Sequence, residues 1–278
     1  MKLADRFVDL ATRSVPLRTL IFRRFLMRFP VGSWERRLRS AAVRRPHYAW
    51  CLYYAALQAK GLGYHAITVV ELGVAGGNGL LCLCDHANHV LKELGVEIRL
   101  TGFDSGGGLP TTRDIRGLHY VWPAGSFEMD RAALESRLAG RANLIFGNVS
   151  ETVPRWQPPA EAPLGCVMFD LDLYTSTRDA LPLLTKANVL PRMWCYFDDI
   201  RGYPDMELTD YIGEGAAIRE FNEDPQRSVL RDNISPARVF DGISHEPWHE
   251  QMYIYHRLTH PQYDICLSQT KHQLKLVS

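Results

Sequence analysis

Residues 67–79, ITVVELGVAGGNG, decide the fold. Ile67 to Leu72 is a short β-branched run with the length and composition of a buried parallel strand. The glycines between Gly73 and Gly79 then form a turn, and the spacing predicts a helix from about Gly79 to Leu94. Working outward, His47 to Lys60 has helical apolar spacing and stops at Gly61 and Gly63. Ile98–Phe103, Leu144–Phe146, Cys166–Leu171 and Met193–Phe197 read as further strands, with a helix over Asp130–Leu138 and another starting near a Ser176/Thr177 cap. In the tail, Gly213–Asn222 is helical, and the apolar runs Met252–Tyr255 and Ile265–Leu267 are expected to supply closing strands. Strands and helices alternating in this order predict an α/β fold with a doubly wound, mostly parallel, seven-stranded sheet in one domain over residues 46–278. A long irregular stretch from Ser105 to about Met129 interrupts the alternation, and no internal repeat is present.

Composition narrows the function classes. The 278 residues are 46% hydrophobic and 23% charged, which excludes a disordered tail, a fibrous rod and a disulfide miniprotein. No apolar run approaches the roughly 18 to 20 residues of a membrane span. The apolar positions of residues 7–29 are broken by Arg13, Arg18, Arg23, Arg24 and Arg28, which is unlike a secretion signal, so a cytoplasmic location is expected. Six scattered cysteines lack CxxC spacing and read as small buried thiols, and the histidines, His245 and His249 included, lack a metal-ligand pattern.

Net charge is +1 but unevenly spread. Residues 1–45 hold twelve Lys/Arg against three acids, so an arm of +9 precedes a body of −8. Phe22, Phe25, Leu26 and Phe29 recur at helical spacing along it, although Leu20 and Met27 point elsewhere. A basic helical N-terminal arm of this kind either packs on the acidic body or on a second subunit, or lies on an anionic membrane surface. The imperfect apolar stripe favours the body or a homo-oligomer over the membrane. Basic and aromatic residues do not interleave further along, so nucleic acid is not an expected partner.

In a doubly wound sheet, ligands bind beyond the carboxyl ends of the strands. The first strand ends in Glu71 and a turn carrying Gly73, Gly76 and Asn78. GxGxxG spacing is absent, and Glu71 would repel a pyrophosphate, so a cationic ligand suits the turn better. Asp104, followed by Ser105, closes the second strand 33 residues later, where an acid takes both ribose hydroxyls of an adenosine. That feature fits NAD and S-adenosylmethionine alike, and with Glu71 beside it the sulfonium cofactor is favoured. Asn148 and Val149 end the third strand; the amide either meets the adenine edge or serves as a plain turn residue.

Acids crowd the next two strand ends. Asp170 and Asp172 stand two apart in FDLDLY, on one side if the strand geometry continues, and Asp198 and Asp199 follow in YFDD. Like charges held close share protons or bind a cation, and hard oxygen donors suit Mg²⁺ or a similar divalent ion. Helix caps and solvated loop acids are the plainer alternative. An NAD-dependent sugar enzyme would call for a YxxxK pair, which is absent, and a non-catalytic scaffold does not account for four intact acids.

Glu71–Gly79, Phe103-Asp104-Ser105 with Gly108-Leu109-Pro110, Gly147–Pro154, Asp170–Thr177 with Asp179-Ala180-Leu181, and Asp198-Asp199 together resemble the macrocin O-methyltransferase family. The match runs in order over roughly residues 67–222, and DLYxST with the paired aspartates is its specific part. The resemblance implies a class I, Rossmann-like fold and S-adenosylmethionine-dependent methylation of a sugar or other vicinal diol on a small molecule or glycan. It implies cofactor contacts from Glu71, Gly73, Gly76, Asn78, Asp104, Ser105, Asn148, Val149 and Asp170. It also implies Mg²⁺ held by Asp170, Asp198 and Asp199, with Asp172 as general base. Trp122, Tyr120 and Tyr174 are candidates for an acceptor wall. The chain departs from the family at Leu171, at Gly106-Gly107 and in the longer segment from Asp205 to Gly213, which leaves the acceptor unassigned.

Overall fold

The computed structural model describes residues 15–225, 232–239 and 246–267. Two helices, α1 (Leu17–Arg28) and α2 (Trp34–Arg39), precede α3 (Pro46–Gly61). The alternating region follows as β1 (Ala66–Leu72), α4 (Asn78–Leu94), β2 (Glu97–Asp104), α5 (Arg131–Leu138), β3 (Asn143–Phe146), α6 (Val149–Arg155), β4 (Leu164–Phe169), α7 (Tyr174–Ala180), β5 (Val189–Phe197), α8 (Gly213–Glu223), β6 (Asn233–Pro236) and β7 (Met252–His256). The seven strands form one sheet in the order β3-β2-β1-β4-β5-β7-β6. β1 to β5 run parallel, and β7 pairs antiparallel with both β5 and β6.

Every residue of β1 and β4 is buried, as their unbroken apolar runs require of central parallel strands. Helices α3 and α4 pack together on β1, β2, β4 and β5, while α6, α7 and α8 form a second packed group, so the sheet is doubly wound. Phe169 and Phe197 sit side by side at the ends of β4 and β5, with rings 4.4 Å apart and inclined by only 9°. Each buries a full aromatic side chain, a contribution of about 1.5–3 kcal/mol. Their packing fixes the relative height of the two strand ends that carry the aspartates. Cys51, Cys82, Cys84, Cys166 and Cys195 are buried free thiols, and Cys266 is exposed.

Three local expectations are corrected. β4 ends at Phe169 rather than Leu171 because the chain turns sharply at Asp172, which has φ +59°. α7 starts at Tyr174, without a side-chain cap; Ser176 and Thr177 are buried inside it, where Thr177 donates to Glu214. Ile265–Leu267 forms no strand, and the edge is supplied by Asn233–Pro236, a segment too short and polar to announce itself. Asn222 replaces ladder bonds there, its side chain donating to the Ile234 carbonyl and accepting from the Ile234 amide, both at 2.8 Å. His245 lies outside the described residues.

Residues 15–45 lie on the body of the molecule. Trp34 and Leu38 of α2 join the same buried cluster as the sheet. The Trp34 indole stacks on His89 of α4 at 5.5 Å, and its backbone amide donates to Glu93 at 2.8 Å. α1 is amphipathic the wrong way round for a helix held only by apolar burial. Arg23 faces inward, donating to the Ser40 carbonyl at 2.6 Å and pairing with Glu246 at 2.7 Å, while Ile21, Phe22, Phe25 and Phe29 face outward. Among the described residues, no helix is long and apolar enough to cross a membrane.

Arg23 and Glu246 are each about nine-tenths buried, so removing one charge takes the buried ion pair from the other. Arg23→Met should cost about 3–5 kcal/mol in urea or thermal unfolding. Phe25→Ser, on the outward face, should change stability by no more than about 0.5 kcal/mol. A larger loss from Phe25→Ser would mean that this face is covered in solution.

Candidate active site at the carboxyl edge of the sheet

A cleft of about 330 Å³ opens where β1 and β4 diverge, and every residue proposed for the cofactor, the metal and catalysis lines it. That crevice is where the strand order reverses, the switch point at which doubly wound sheets bind ligands. Gly73 makes it possible. With φ +85°, it sits so close to the Asp170 carbonyl that a Cβ would fall 1.7 Å from the oxygen. Any side chain there would push the ends of β1 and β4 apart.

Glu71 is fully buried against the first turn of α4, where a Cβ on Gly79 would lie 1.8 Å from its Oε1. Its Oε2 is buried with no hydrogen-bond partner, and the nearby Tyr48 hydroxyl is likewise unpartnered. Burial, reinforced by the Asp170 charge and opposed by Tyr48 and Arg45, pushes the Glu71 carboxyl up to about 8. Asp104 accepts hydrogen bonds from the Ala75 amide at 2.8 Å and the Gly106 amide at 2.6 Å, one on each oxygen. Each oxygen keeps a second acceptor position. Ser105 closes the following turn by donating to the Gly108 carbonyl. Asn148 lines the cleft, but its Oδ1 is engaged as the cap of α6, accepting from the Ser150 amide at 3.1 Å and the Ser150 hydroxyl at 3.0 Å.

Asp170, Asp172 and Asp199 bring carboxylate oxygens within 4.8 Å of one another. This distance is close to the ~4.2 Å between opposite oxygens around a small divalent ion. The fourth acid behaves differently. Asp198 accepts from the Tyr196 hydroxyl at 2.7 Å, so Asp172 rather than Asp198 completes the cluster. Continuous strand geometry does not put Asp170 and Asp172 side by side. A tight turn does so, with the Leu173 amide reaching the Leu171 carbonyl at 2.5 Å across Asp172. A non-glycine residue held at this positive φ stores about 1–3 kcal/mol of strain. Asp199 restrains the turn by accepting from the Asp172 amide at 2.9 Å, and Glu214 in turn accepts from the Asp199 amide at 2.9 Å. Burial and mutual repulsion hold the Asp170, Asp172 and Asp199 carboxyls above the usual carboxylate range, and burial with the Asp199 charge does the same for Glu214.

The irregular stretch forms the outer wall. Leu109 and Ser126 are tied backbone to backbone at 2.9 Å, which sets Pro110, Trp122 and Phe127 along the cleft. Trp122 lines the cleft. Tyr120 is exposed, and Tyr174 is turned away, its hydroxyl donating to Glu220 at 2.5 Å beneath the Arg116 guanidinium. The sequence reading missed Arg45, Tyr48, Ser176 and Glu214. Arg45 was one charge among twelve in the arm, and Glu214, flanked by Gly213 and Gly215, had no partner within sequence range.

Stability should carry the imprint of these carboxyls. A group whose proton affinity is raised by folding binds more protons folded than unfolded, so stability falls as pH rises between the two values. His47 and His86, depressed by burial to about 3 and about 4, act in the opposite sense, but only below their unfolded value of about 6.5. Between about pH 6.5 and 8 only the carboxyl effect remains among these groups, with Glu71 losing its proton near 8. Melting temperatures in excess chelator should therefore fall over that range. Glu71→Gln should flatten the slope, and an unchanged slope would contradict the assignment.

No family profile and no curated protein matches the chain. Among solved structures, the calicheamicin methyltransferase CalS11 is 22% identical with a TM-score of 0.52, over 90% of this chain and 95% of its own. The O-methyltransferase NovP is 15% identical with a TM-score of 0.51, over 76% of this chain and 80% of its own. At these identities the likeness concerns the fold: the chain has the Rossmann-like architecture of class I methyltransferases, with the candidate site at its ligand-binding edge.

Proposed function

We propose that the protein is an S-adenosylmethionine-dependent O-methyltransferase, assisted by a divalent cation, acting on a hydroxyl of a sugar or another vicinal diol. One observation carries the reading. In a single cleft, Glu71 and Asp104 flank the glycine turn at two adjacent strand ends, and Asp170, Asp172 and Asp199 converge at the next two. The donor sets fit the two groups. A buried, unpartnered Glu71 oxygen suits a ligand cation, the spare acceptor positions of Asp104 suit ribose hydroxyls, and three carboxylates suit Mg²⁺ or a similar hard ion. The likeness in fold to two proteins named as methyltransferases supports the same class.

When bound, S-adenosylmethionine supplies an electrophilic methyl group and Mg²⁺ supplies Lewis acidity toward an acceptor hydroxyl. The residues of the chain do the rest. Glu71 holds the cationic end of the cofactor and Asp104 its ribose, fixing the direction in which the methyl group faces. Asn148 and Val149 border the adenosine end, with Gly73, Gly76, Asn78 and Ser105 letting the backbone approach. Asp172 takes the proton of the attacking hydroxyl on the carboxylate oxygen that it does not offer to the cation. Trp122 and Phe127 wall the acceptor side against water. Most of the acceleration then comes from alignment of the hydroxyl with the methyl group.

Calorimetric titration tests the cofactor first. S-adenosylmethionine should bind and NAD should not. Asp104→Ala should lose about 2–5 kcal/mol of affinity, the worth of two hydrogen bonds to a charged group. Undiminished binding in that variant would refute the ribose assignment. With a panel of sugar diols and catechols as acceptors, chelation should abolish methyl transfer and Mg²⁺ should restore it. Asp199→Asn should bind cofactor without turning over. Full activity in excess chelator would leave the acid cluster a structural role only.

A further inference from the structure

Arg45 is the basic side chain among the residues that line the cleft. It caps α3 in a left-handed conformation, φ +41° and ψ +65°, immediately before Pro46. That backbone shape is unfavourable for an arginine, and the sharp turn into α3 directs the side chain back over the first turn, its guanidinium 5.1 Å from the centre of the Tyr48 ring. Arg44, one residue earlier, is exposed and pairs with Asp85 on the surface. Arg45 is half-buried, and its guanidinium makes no hydrogen bond and no ion pair with any described residue.

The acids whose charges act most on Arg45 are Glu71, which is buried, and Asp170, which is partly buried. They feel the guanidinium through space without contacting it. A planar fork of five donors, partly dehydrated and left unpaired, is costly unless something planar and anionic completes it. Glu71 presents the complementary deficit, a buried oxygen with no donor. Opposite deficits on one wall of one cleft fit a ligand that carries both charges on neighbouring atoms.

We propose that Arg45 binds the α-carboxylate of the methionyl part of the cofactor, while Glu71 holds the adjacent α-ammonium, so that the pair recognises an amino-acid zwitterion. The inference rests on the reading of the cofactor as S-adenosylmethionine and adds the residue that selects its amino-acid end. The carboxylate accepts two parallel N–H bonds from the guanidinium. The stacking of Arg45 on Tyr48 fixes the plane of the fork before the ligand arrives, and Gly73 and Gly76 line the same cleft. The same guanidinium chemistry would serve a phosphate on the acceptor. The Tyr48 ring on which it stacks lies against Gly79 of the glycine turn, as Glu71 does, and this points to the cofactor instead.

The test is a calorimetric comparison of three ligands on the full chain: S-adenosylmethionine, its decarboxylated form, and 5′-methylthioadenosine, which lacks the amino-acid part. The wild-type protein should bind S-adenosylmethionine at least tenfold more tightly than the decarboxylated form. Arg45→Gln should weaken S-adenosylmethionine tenfold or more and leave the decarboxylated ligand and methylthioadenosine unchanged, and Arg45→Lys should recover part of the loss. Equal weakening of all three ligands, or none, would overturn the proposal and leave Arg45 a structural or acceptor-binding part. Should Arg45→Gln fail to fold, the wild-type preference and the Arg45→Lys variant decide it: no preference for the carboxylate overturns it. If the wild-type protein binds none of the three, the cofactor reading itself fails and this inference with it. If it binds all three alike, only the role of Arg45 fails.

Discussion

Dehydrated carboxyl groups at the carboxyl edge of the sheet are the constraint around which this molecule is organised. Glu71 and Glu214 are wholly buried, and Asp199 nearly so. Taking an isolated carboxylate out of water costs far more than any one packing contact returns, so such groups keep a proton, find donors or bind a cation. The first two responses are visible, and the geometry has room for the third. Proton affinities rise throughout the cluster, the backbone amides of Asp172 and Asp199 are spent on Asp199 and Glu214, and the remaining oxygens converge within reach of a small divalent ion. The Asp172 turn belongs to the same arrangement. Its strain is tolerated because the restraint from Asp199 over-determines it, and the result is a carboxyl group turned back into the cluster.

Elements that do not belong to the alternating pattern complete the cleft. Helix α3 is buried nearly all round, so it serves as interior packing and presents Tyr48 and Arg45 from beneath. The irregular stretch after β2 is pinned by the Leu109–Ser126 pair and lays Trp122 and Phe127 along the opening. α8 brings Glu214 in from a distance of 15 residues beyond Asp199. Apolar packing supplies the stability, and the few buried charges supply the geometry.

The basic arm follows the same logic in a different place. A positive charge at the centre of the inward face of α1 is satisfied by Glu246 and the Ser40 carbonyl, and this ties the helix to the turn before β7. Its aromatic residues are consequently left on the outside. The aromatic stripe of the arm thus faces away from the body, its rings packed on one another.

The residues by themselves determined the parallel sheet, the helices between its strands and the acids at the strand ends. Those features are local: β-branched runs such as Ile67–Leu72, glycine turns and helical spacing act within a few residues, and a parallel sheet then brings its carboxyl ends to one edge. The resemblance in Glu71–Gly79 and Asp170–Thr177 made the class of fold legible as well. Tertiary structure decided which acids meet. Asp198 and Asp199 are neighbours in the chain, yet the 3-10 turn that they share sends one to Tyr196 and the other to Asp172, and Asp172 reaches the cluster through a turn that no strand periodicity describes. The same holds for Arg45, which lines the cleft from 26 residues before Glu71, and for Glu214, which reaches the Asp199 amide from 15 residues after it. A buried charge is satisfied by whatever the fold brings within about 3 Å of it, and separation along the chain carries no record of that distance.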